Sequence, residues 1–523
     1  MEGISKKIYL ELDMPTEEDS RSDQKRIQDR LEKEGLHAVM SFYVMKKLYP
    51  LCEQAGWKVT VSLGWDGNCW KIVDIEEGNT VCRHYGYAVD LGSTTVVTRL
   101  VDCETGECLC EVSRYNRQIV FGTDILTRIF YEKDNEAARR ELQAATVETI
   151  CDNLKEIEEK TGISSGRDGI QMVISGNTTM IHFLLEMDAF CVFSTPYAVH
   201  ADAPGFLRGT DLGIPVKGYV YCIPGKSNYL GGDIISGMLA TQMYRGEEIS
   251  AFFDIGTNGE LVIGNREFLL CGAGAAGPAL EGGVVHTGMR ACDGAVDRVK
   301  IEDGECRCHV IGEGNAKGIC GSGIVDLLAE LFLNGWINIK GKFQPEKSSL
   351  IQEKEDMLCV EYEKGLYFYQ DDIDEFLKTK AAAYTMVEYM FRESGISMEE
   401  LGTFYVAGAF GKHVSKESAI TIGLYPDMDR EHLVSAGNSS LDGAQKLLLQ
   451  RELLDDIEEI LEKMVYVQFG AVGDFLQMMV AAQAIPHTDM ERFPTVASAF
   501  RALRTEENRV QCSRRTTESR WIK

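Results

Sequence analysis

Tyr87-Ala88-Val89-Asp90-Leu91-Gly92-Ser93-Thr94-Thr95 and Phe253-Asp254-Ile255-Gly256-Thr257-Asn258-Gly259-Glu260 are two statements of one pattern. Each runs from apolar residues of strand type into Asp-x-Gly and then into small hydroxyl or amide residues. The strand end fixes the aspartate, and the glycine lets the backbone turn tightly with no Cβ in the way. The N–H groups and hydroxyls of such a turn face an anion. An aspartate there repels phosphate unless Mg2+ or a water stands between them. A single Asp-x-Gly turn occurs in many hairpins, but two in one chain imply duplicated halves that face each other across a phosphate. Asp90 and Asp254 are therefore expected to hold Mg2+ through water or to orient an attacking water. Gly92, Ser93, Thr94, Thr95, Gly256, Thr257, Asn258 and Gly259 form the expected phosphate cradle. Glu260 has two open readings, polarising a water or closing a structural salt bridge.

A third element follows. Thr403-Phe404-Tyr405-Val406-Ala407 reads as a buried strand, and Gly408-Ala409-Phe410-Gly411 leads from it towards a helix. A strand, a Gly-rich turn and a helix make a surface that a nucleoside approaches closely, so these four residues are expected at the adenosine. The order of phosphate loop, phosphate loop and adenosine loop resembles the acetate/sugar kinase, chaperone ATPase and actin superfamily. That resemblance implies an α/β chain of duplicated ribonuclease-H-like (actin-like ATPase) domains closing over ATP and Mg2+.

Composition sets the outer bounds. The 523 residues suit about three domains. A net charge of −27, from 54 basic and 81 acidic residues, argues against general nucleic-acid binding. No run approaches the ~20 apolar residues of a membrane span, and the N-terminus lacks a hydrophobic secretory region. The expectation is a cytoplasmic protein with no membrane and no nucleic-acid partner. The sixteen cysteines show neither zinc nor iron–sulfur spacing, and free thiols are expected. Cys108-x-Cys110 and Cys306-x-Cys308 place each pair on one face of a strand.

Along the chain, residues 1–85 read as a small α+β linker or middle module, with a strand Ile8 to Leu12, a polar helix through about Glu34, and strands Trp57 to Leu63 and Trp70 to Ile75. Residues 86–250 read as the first ribonuclease-H-like half, with three antiparallel strands, a helical region from Thr123 to Lys160, and a strand Gln171 to Ile174. Residues 251–487 read as the second half, and 488–523 as a basic C-terminal tail.

Longer motifs narrow the family. They are Gly277-Pro278-Ala279-Leu280-Glu281-Gly282-Gly283 with Gly288-Met289-Arg290-Ala291, Asn116-x-Gln118 with Gly122-x-Asp124, Ser175-Gly176-Asn177-Thr178-Thr179-Met180, and Gly318-Ile319-Cys320-Gly321-Ser322-Gly323. Together with Ile8-Tyr9-Leu10-Glu11-Leu12 and Asp19-Ser20-Arg21-Ser22-Asp23, they resemble the reductive activators of corrinoid proteins, over nearly the whole chain. The resemblance implies ATP-driven one-electron reduction of a corrinoid protein from Co(II) to Co(I). It also implies nucleotide contacts at Gly321, Ser322 and Gly323, and a homodimer. Members usually carry an iron–sulfur module, for which this sequence shows no cysteine spacing, so no cluster is expected here; either a separate ferredoxin-like protein delivers the electron, or this member does ATP-dependent work without carrying electrons. Small residues from 272 to 283 would let a flat ligand such as a corrin ring approach, placing His286 or Thr287 near cobalt, for which imidazole is a competent ligand. The competing readings are a small-molecule kinase of the same fold and a nucleotide-gated regulator that binds the corrinoid protein.

Overall fold

Runs of Val, Ile and Leu bounded by glycine turns become the strands that position the site. The computed structural model describes residues 2–501 except 257, 275–278, 280, 281, 468 and 470–473, with the backbone alone at 409 and 410. The chain divides into two units, Met1–Gln242 with Asn438–Met464, and Met243–Gly437 with Val465–Lys523.

The first unit holds two sheets. The N-terminal sheet contains β1 (Ser5–Glu11), β2 (Ala38–Met40), β3 (Lys58–Trp65) and β4 (Trp70–Glu77), in the order β1-β3-β4-β2. Ser22 and Ser41 cap its helices, Asp23–Lys33 and Phe42–Gln54, by accepting from the N–H groups of Lys25 and Val44. Ile27, Leu31, Val44 and Leu48 of these helices pack with Val59, Val61 and Ile72 of the sheet. No element is expected from the sequence where the second helix lies. Phe42, Tyr43 and Tyr49 are exposed there and Pro50 interrupts the run, so the apolar period is blurred.

The larger sheet contains β5 (Tyr85–Leu91), β6 (Thr95–Asp102), β7 (Cys108–Tyr115), β8 (Gly169–Gly176), β9 (Gly205–Arg208) and β10 (Tyr219–Cys222), in the order β7-β6-β5-β8-β10-β9. β5, β6 and β7 form an antiparallel meander, and β8 lies parallel to β5. A parallel neighbour needs a crossover, here the helix Glu136–Thr161, whose Leu142, Ile150 and Ile157 join Tyr87, Val89, Leu100 and Ile174 in the core. The single helical run expected over 123–160 is two helices, Ile125–Glu132 and Glu136–Thr161, parted at Asp134 with φ 56°.

The second unit repeats this order for five of the six strands of its main sheet. β11 (Ser250–Ile255), β12 (Gly259–Gly264) and β13 (Leu269–Gly274) form the meander. β14 (Ala295–Glu302), β15 (Glu305–Val310) and β16 (Gly318–Ile319) form a three-stranded sheet, as do β17 (Ile351–Lys354), β18 (Met357–Glu363) and β19 (Leu366–Tyr369). β20 (Thr403–Ala407), β21 (Leu433–Gly437) and β22 (Met464–Tyr466) complete the main sheet, ordered β21-β20-β11-β12-β13-β22. As β8 does beside β5, β20 lies parallel to β11. The helices Gly321–Leu333 and Gln370–Ser394 bury Leu328, Phe332, Phe376 and Met390 with Phe253, Leu261 and Phe404. The duplicated ribonuclease-H-like architecture expected from the two loops is present. Among the described residues no helix is long and apolar enough to cross a membrane, and all fifteen cysteines are free.

Candidate functional site

β5 delivers Asp90 to its C-terminal end, level with Val97 on β6 and Ser175 on β8. Two residues far along the chain then hold the carboxylate. Asn438 Nδ2 donates to Asp90 Oδ2 at 2.9 Å, and Ser440 Oγ donates to Oδ1 at 2.8 Å. Asn438 is also the N-cap of the helix Ser439–Leu449, accepting from Leu441 N. Ser440 Oγ lies 2.8 Å from Ser175 Oγ, which accepts from Ser236 Oγ at the same distance. Ser236 sits on the helix Gly232–Thr241, which crosses Ser439–Leu449 so closely that a Cβ on Gly443 would lie 2.1 Å from Ser236 O. Each oxygen of a carboxylate has two acceptor positions, so these bonds leave one on each oxygen for a hydrated cation.

A second acid stands beside the first. Asp233 is the second residue of the helix Gly232–Thr241. Burial pushes its carboxyl up to about 6, and the Asp90 charge adds to the effect. Burial also raises Asp90, against the opposing bonds from Ser440 and Asn438.

The turn after Asp90 is held from behind. Asn116 Nδ2 donates to Gly92 O at 3.1 Å, Arg128 Nη1 to Ser93 O at 2.6 Å, and Asn116 N to Thr94 O at 2.8 Å. Arg128 is fully buried and also donates to Gly122 O and Gln118 Oε1. With three successive carbonyls tied down, the N–H groups of Gly92, Ser93 and Thr94 find no acceptor among the described residues. That cradle fits a phosphate. Asn116, Gln118 and Gly122 were legible only as motif letters, and their work here is to set the shape of the turn.

In the second unit Asp254 closes β11 opposite Glu260 on β12 and level with Ala407 on β20. Gly256 N donates to Asn258 O at 2.8 Å, while Thr257 lies outside the described residues. A side chain on Gly259 would meet Met386 Cε at 2.7 Å. Gly408 has φ +79°, and a Cβ there would lie 3.0 Å from Asp254 Oδ1. The glycine thus joins the expected adenosine turn to the carboxylate of the second loop. Gly411 packs against Val406 O, and the side chains of Ala409 and Phe410 lie outside the described residues. Gly321, Ser322 and Gly323 open the helix Gly321–Leu333 and are buried. A Cβ on Gly323 would lie 2.3 Å from Val296 O, so this motif seats the helix on β14.

Of the small-residue stretch thought to admit a flat ligand, residues 275–278, 280 and 281 lie outside the described residues. His286 follows it, with Nδ1 and N both 2.9 Å from Asp372 Oδ1. Asp372 raises the imidazole pKa above its ordinary value. Thr287 Oγ1 donates to Tyr367 O at 3.2 Å and accepts from Tyr362 OH at 2.9 Å.

Two halves of one strand order, each ending its first strand in an aspartate above a tight turn, define an acetate/sugar kinase–chaperone–actin fold. Residues 248–497 match the family model described as the C-terminal domain of RACo, the ASKHA domain. Residues 85–246 match the RACo middle region and 1–81 the RACo linker region. A solved structure, "Reductive activator for corrinoid,iron-sulfur protein", is 35% identical with a TM-score of 0.86, over 94% of this chain and 81% of that one. The chain belongs to this family of reductive activators of corrinoid proteins. The corrinoid activation enzyme RamQ of Eubacterium limosum is 32% identical over 386 residues, 70% of this chain. The match spans 65% of RamQ, just under two-thirds of its length. The [Co(II) methylated amine-specific corrinoid protein] reductase of Methanosarcina barkeri is 26% identical over 422 residues, 72% of each chain.

Proposed function

We propose that this chain uses ATP to drive the one-electron reduction of a corrinoid protein from Co(II) to Co(I), taking the electron from a separate ferredoxin-like donor. The observation that carries the ATP half is the Asp90 turn, whose carbonyls are pinned while its N–H groups stay available. The activities for which the two relatives are named support the corrinoid half.

In this reading Gly92, Ser93, Thr94, Thr95, Gly256, Thr257, Asn258 and Gly259 cradle phosphates, and Gly408, Ala409, Phe410 and Gly411 flank the adenosine. Asp90 and Asp254 hold the water shell of Mg2+, which neutralises charge on the phosphates. Glu260, across the hairpin from Asp254, orients water, and Gly321, Ser322 and Gly323 contact the nucleotide. His286 or Thr287 meets the corrinoid near cobalt.

The energetic problem is an uphill transfer. One electron passes to Co(II), and each 59 mV of one-electron potential corresponds to about 1.4 kcal/mol. A nucleotide helps only by binding two arrangements of the protein unequally. A differential of a few kcal/mol is enough to make the transfer favourable.

The test is ATP hydrolysis by the purified chain with and without a Co(II) corrinoid protein, with a low-potential reductant present and cobalt absorbance followed in parallel. Stimulated hydrolysis with growth of the Co(I) band is expected. Phosphoryl transfer to an added small acceptor, or absence of both signals across several corrinoid partners, would overturn the proposal. His286→Ala should slow corrinoid reduction and leave ATP binding intact; an unchanged rate would remove His286 from the site.

A further inference from the structure

We infer that Asp372 is the positioning residue that presents Nε2 of His286 to the corrinoid. The inference rests on the reading of His286 given above. It starts from an asymmetry between the two candidate residues. Thr287 has spent its single proton on Tyr367 O and also accepts from Tyr362 OH. Among the described residues His286 is engaged at one end of its ring only.

That end is well defined. Asp372 is 1% exposed, and its Oδ1 lies 2.9 Å from both the backbone N and the Nδ1 of His286. Its Oδ2 accepts from Tyr369 N at 2.9 Å. Asp372 is the third residue of the 25-residue helix Gln370–Ser394, where the helix dipole favours its negative charge. An ionised carboxylate only accepts, so the imidazole nitrogen facing it carries a proton. Asp371 Oδ1, 3.8 Å from the same nitrogen, reinforces that assignment. The Tyr369 ring, 4.6 Å from the imidazole by centroids, fixes the ring from a second side.

Nε2 sits at the opposite end of a side chain that is 46% exposed, and no acceptor or donor among the described residues takes it. When the ring is neutral its lone pair is therefore on Nε2, with no partner among the described residues. A hydrogen bond on one ring nitrogen decides what the other offers, which is how a buried carboxylate prepares an imidazole to meet a metal centre. The three side chains His286, Asp371 and Asp372 are compact enough to hold a cation among themselves. Two N–H groups on Asp372 Oδ1 and the positive end of the helix oppose a cation there, and favour the dyad.

The test has two readouts on the full chain. With histidine labelled by 15N, long-range 1H–15N correlation at a pH where the ring is neutral reports which nitrogen bears the proton. His286 is expected as the Nδ1–H form by about tenfold or more, and Asp372→Asn should weaken that preference because the amide carries no charge and must turn its NH2 towards either His286 or Tyr369 N. Asp372→Glu, which keeps the charge, should restore part of it and guards against a folding defect in the Asn variant. An Nε2–H ring in the wild type, or a preference unmoved in Asp372→Asn, overturns the inference. The second readout is electron paramagnetic resonance of the Co(II) corrinoid protein bound to the activator. Hyperfine coupling to histidine nitrogen, lost in His286→Ala and weakened severalfold in Asp372→Asn, is expected. The correct proton position without any coupling from His286 would instead overturn the contact with cobalt, and so the reading beneath the inference.

Discussion

Replacing Asp233 by Asn should stabilise the unliganded first unit at neutral pH, because the native site makes that carboxyl costly to ionise. Burial and the Asp90 charge lift it from 3.8 to about 6. A lift from 3.8 to about 6, at about 1.4 kcal/mol for each tenfold change in proton affinity, puts the cost of the ionised form near 3 kcal/mol. The direction of the pH dependence follows from linkage. The folded-state pKa lies above the unfolded one, so the native protein binds the proton more tightly between them. This contribution to stability is present below the unfolded pKa, declines as pH rises from about 4 to 6, and is gone above. An amide has no such slope. Calorimetry of wild type and variant between about pH 4 and pH 8 reads the difference in Tm, in which all other carboxylates cancel. For a unit of this size, 3 kcal/mol corresponds to roughly 6–12 °C near pH 8, shrinking towards zero near pH 4. Mg2+ with ATP should then raise the wild-type Tm more than that of the variant and narrow the gap, since a cation relieves the repulsion between Asp90 and Asp233. A variant less stable than wild type at neutral pH, or a difference flat in pH, would refute the placement of an electrostatically loaded acid pair here.

Arg128→Lys should weaken nucleotide binding about tenfold by titration calorimetry, near 1.4 kcal/mol, because one ammonium cannot reproduce the fork that reaches Ser93 O, Gly122 O and Gln118 Oε1; an unchanged Kd would show that the turn keeps its shape without it. Gly408→Ala should cost about 1–2 kcal/mol from its φ of +79° and raise the Kd for ATP further as the methyl presses on Asp254, with far-ultraviolet circular dichroism unchanged. Equal affinity would separate this turn from the nucleotide. Lys380→Met should destabilise the second unit by roughly 3 kcal/mol in urea, since Nζ is fully buried and donates to the carbonyls of Ala482, Ala484 and Pro486, which the thioether leaves unmet. Wild-type stability in that variant would mean the cost of burying the ammonium cancels its three bonds.

What could be read from the chain and what could not divide by sequence distance. The two Asp-x-Gly turns and their strands are local, so hydrophobic runs and glycines were enough to expect a duplicated fold. The partners that give the turns their chemistry are not local: Asn438 and Ser440 reach Asp90 from 348 and 350 residues away, and Asp372 reaches His286 from 86. No spacing rule spans such intervals. Arg128 had a signal, a charge on the apolar side of Ile125-Leu126-Thr127-Arg128-Ile129, but a lone charge there does not say which carbonyl it serves. The duplication itself holds the most useful information, because the halves differ where their strands correspond. Level with Asp90, β8 offers Ser175, whose hydroxyl continues through Ser440 and Ser236 into a polar chain that fixes the carboxylate. Level with Asp254, β20 offers Ala407 and then a left-handed glycine, and neither brings a polar side chain to the carboxylate. The first half uses that strand end to orient an acid, and the second places a left-handed glycine beside its acid. In the function proposed above, this difference gives Asp90 an oriented carboxylate for the water shell it shares with Asp254, and places the nucleoside at Gly408.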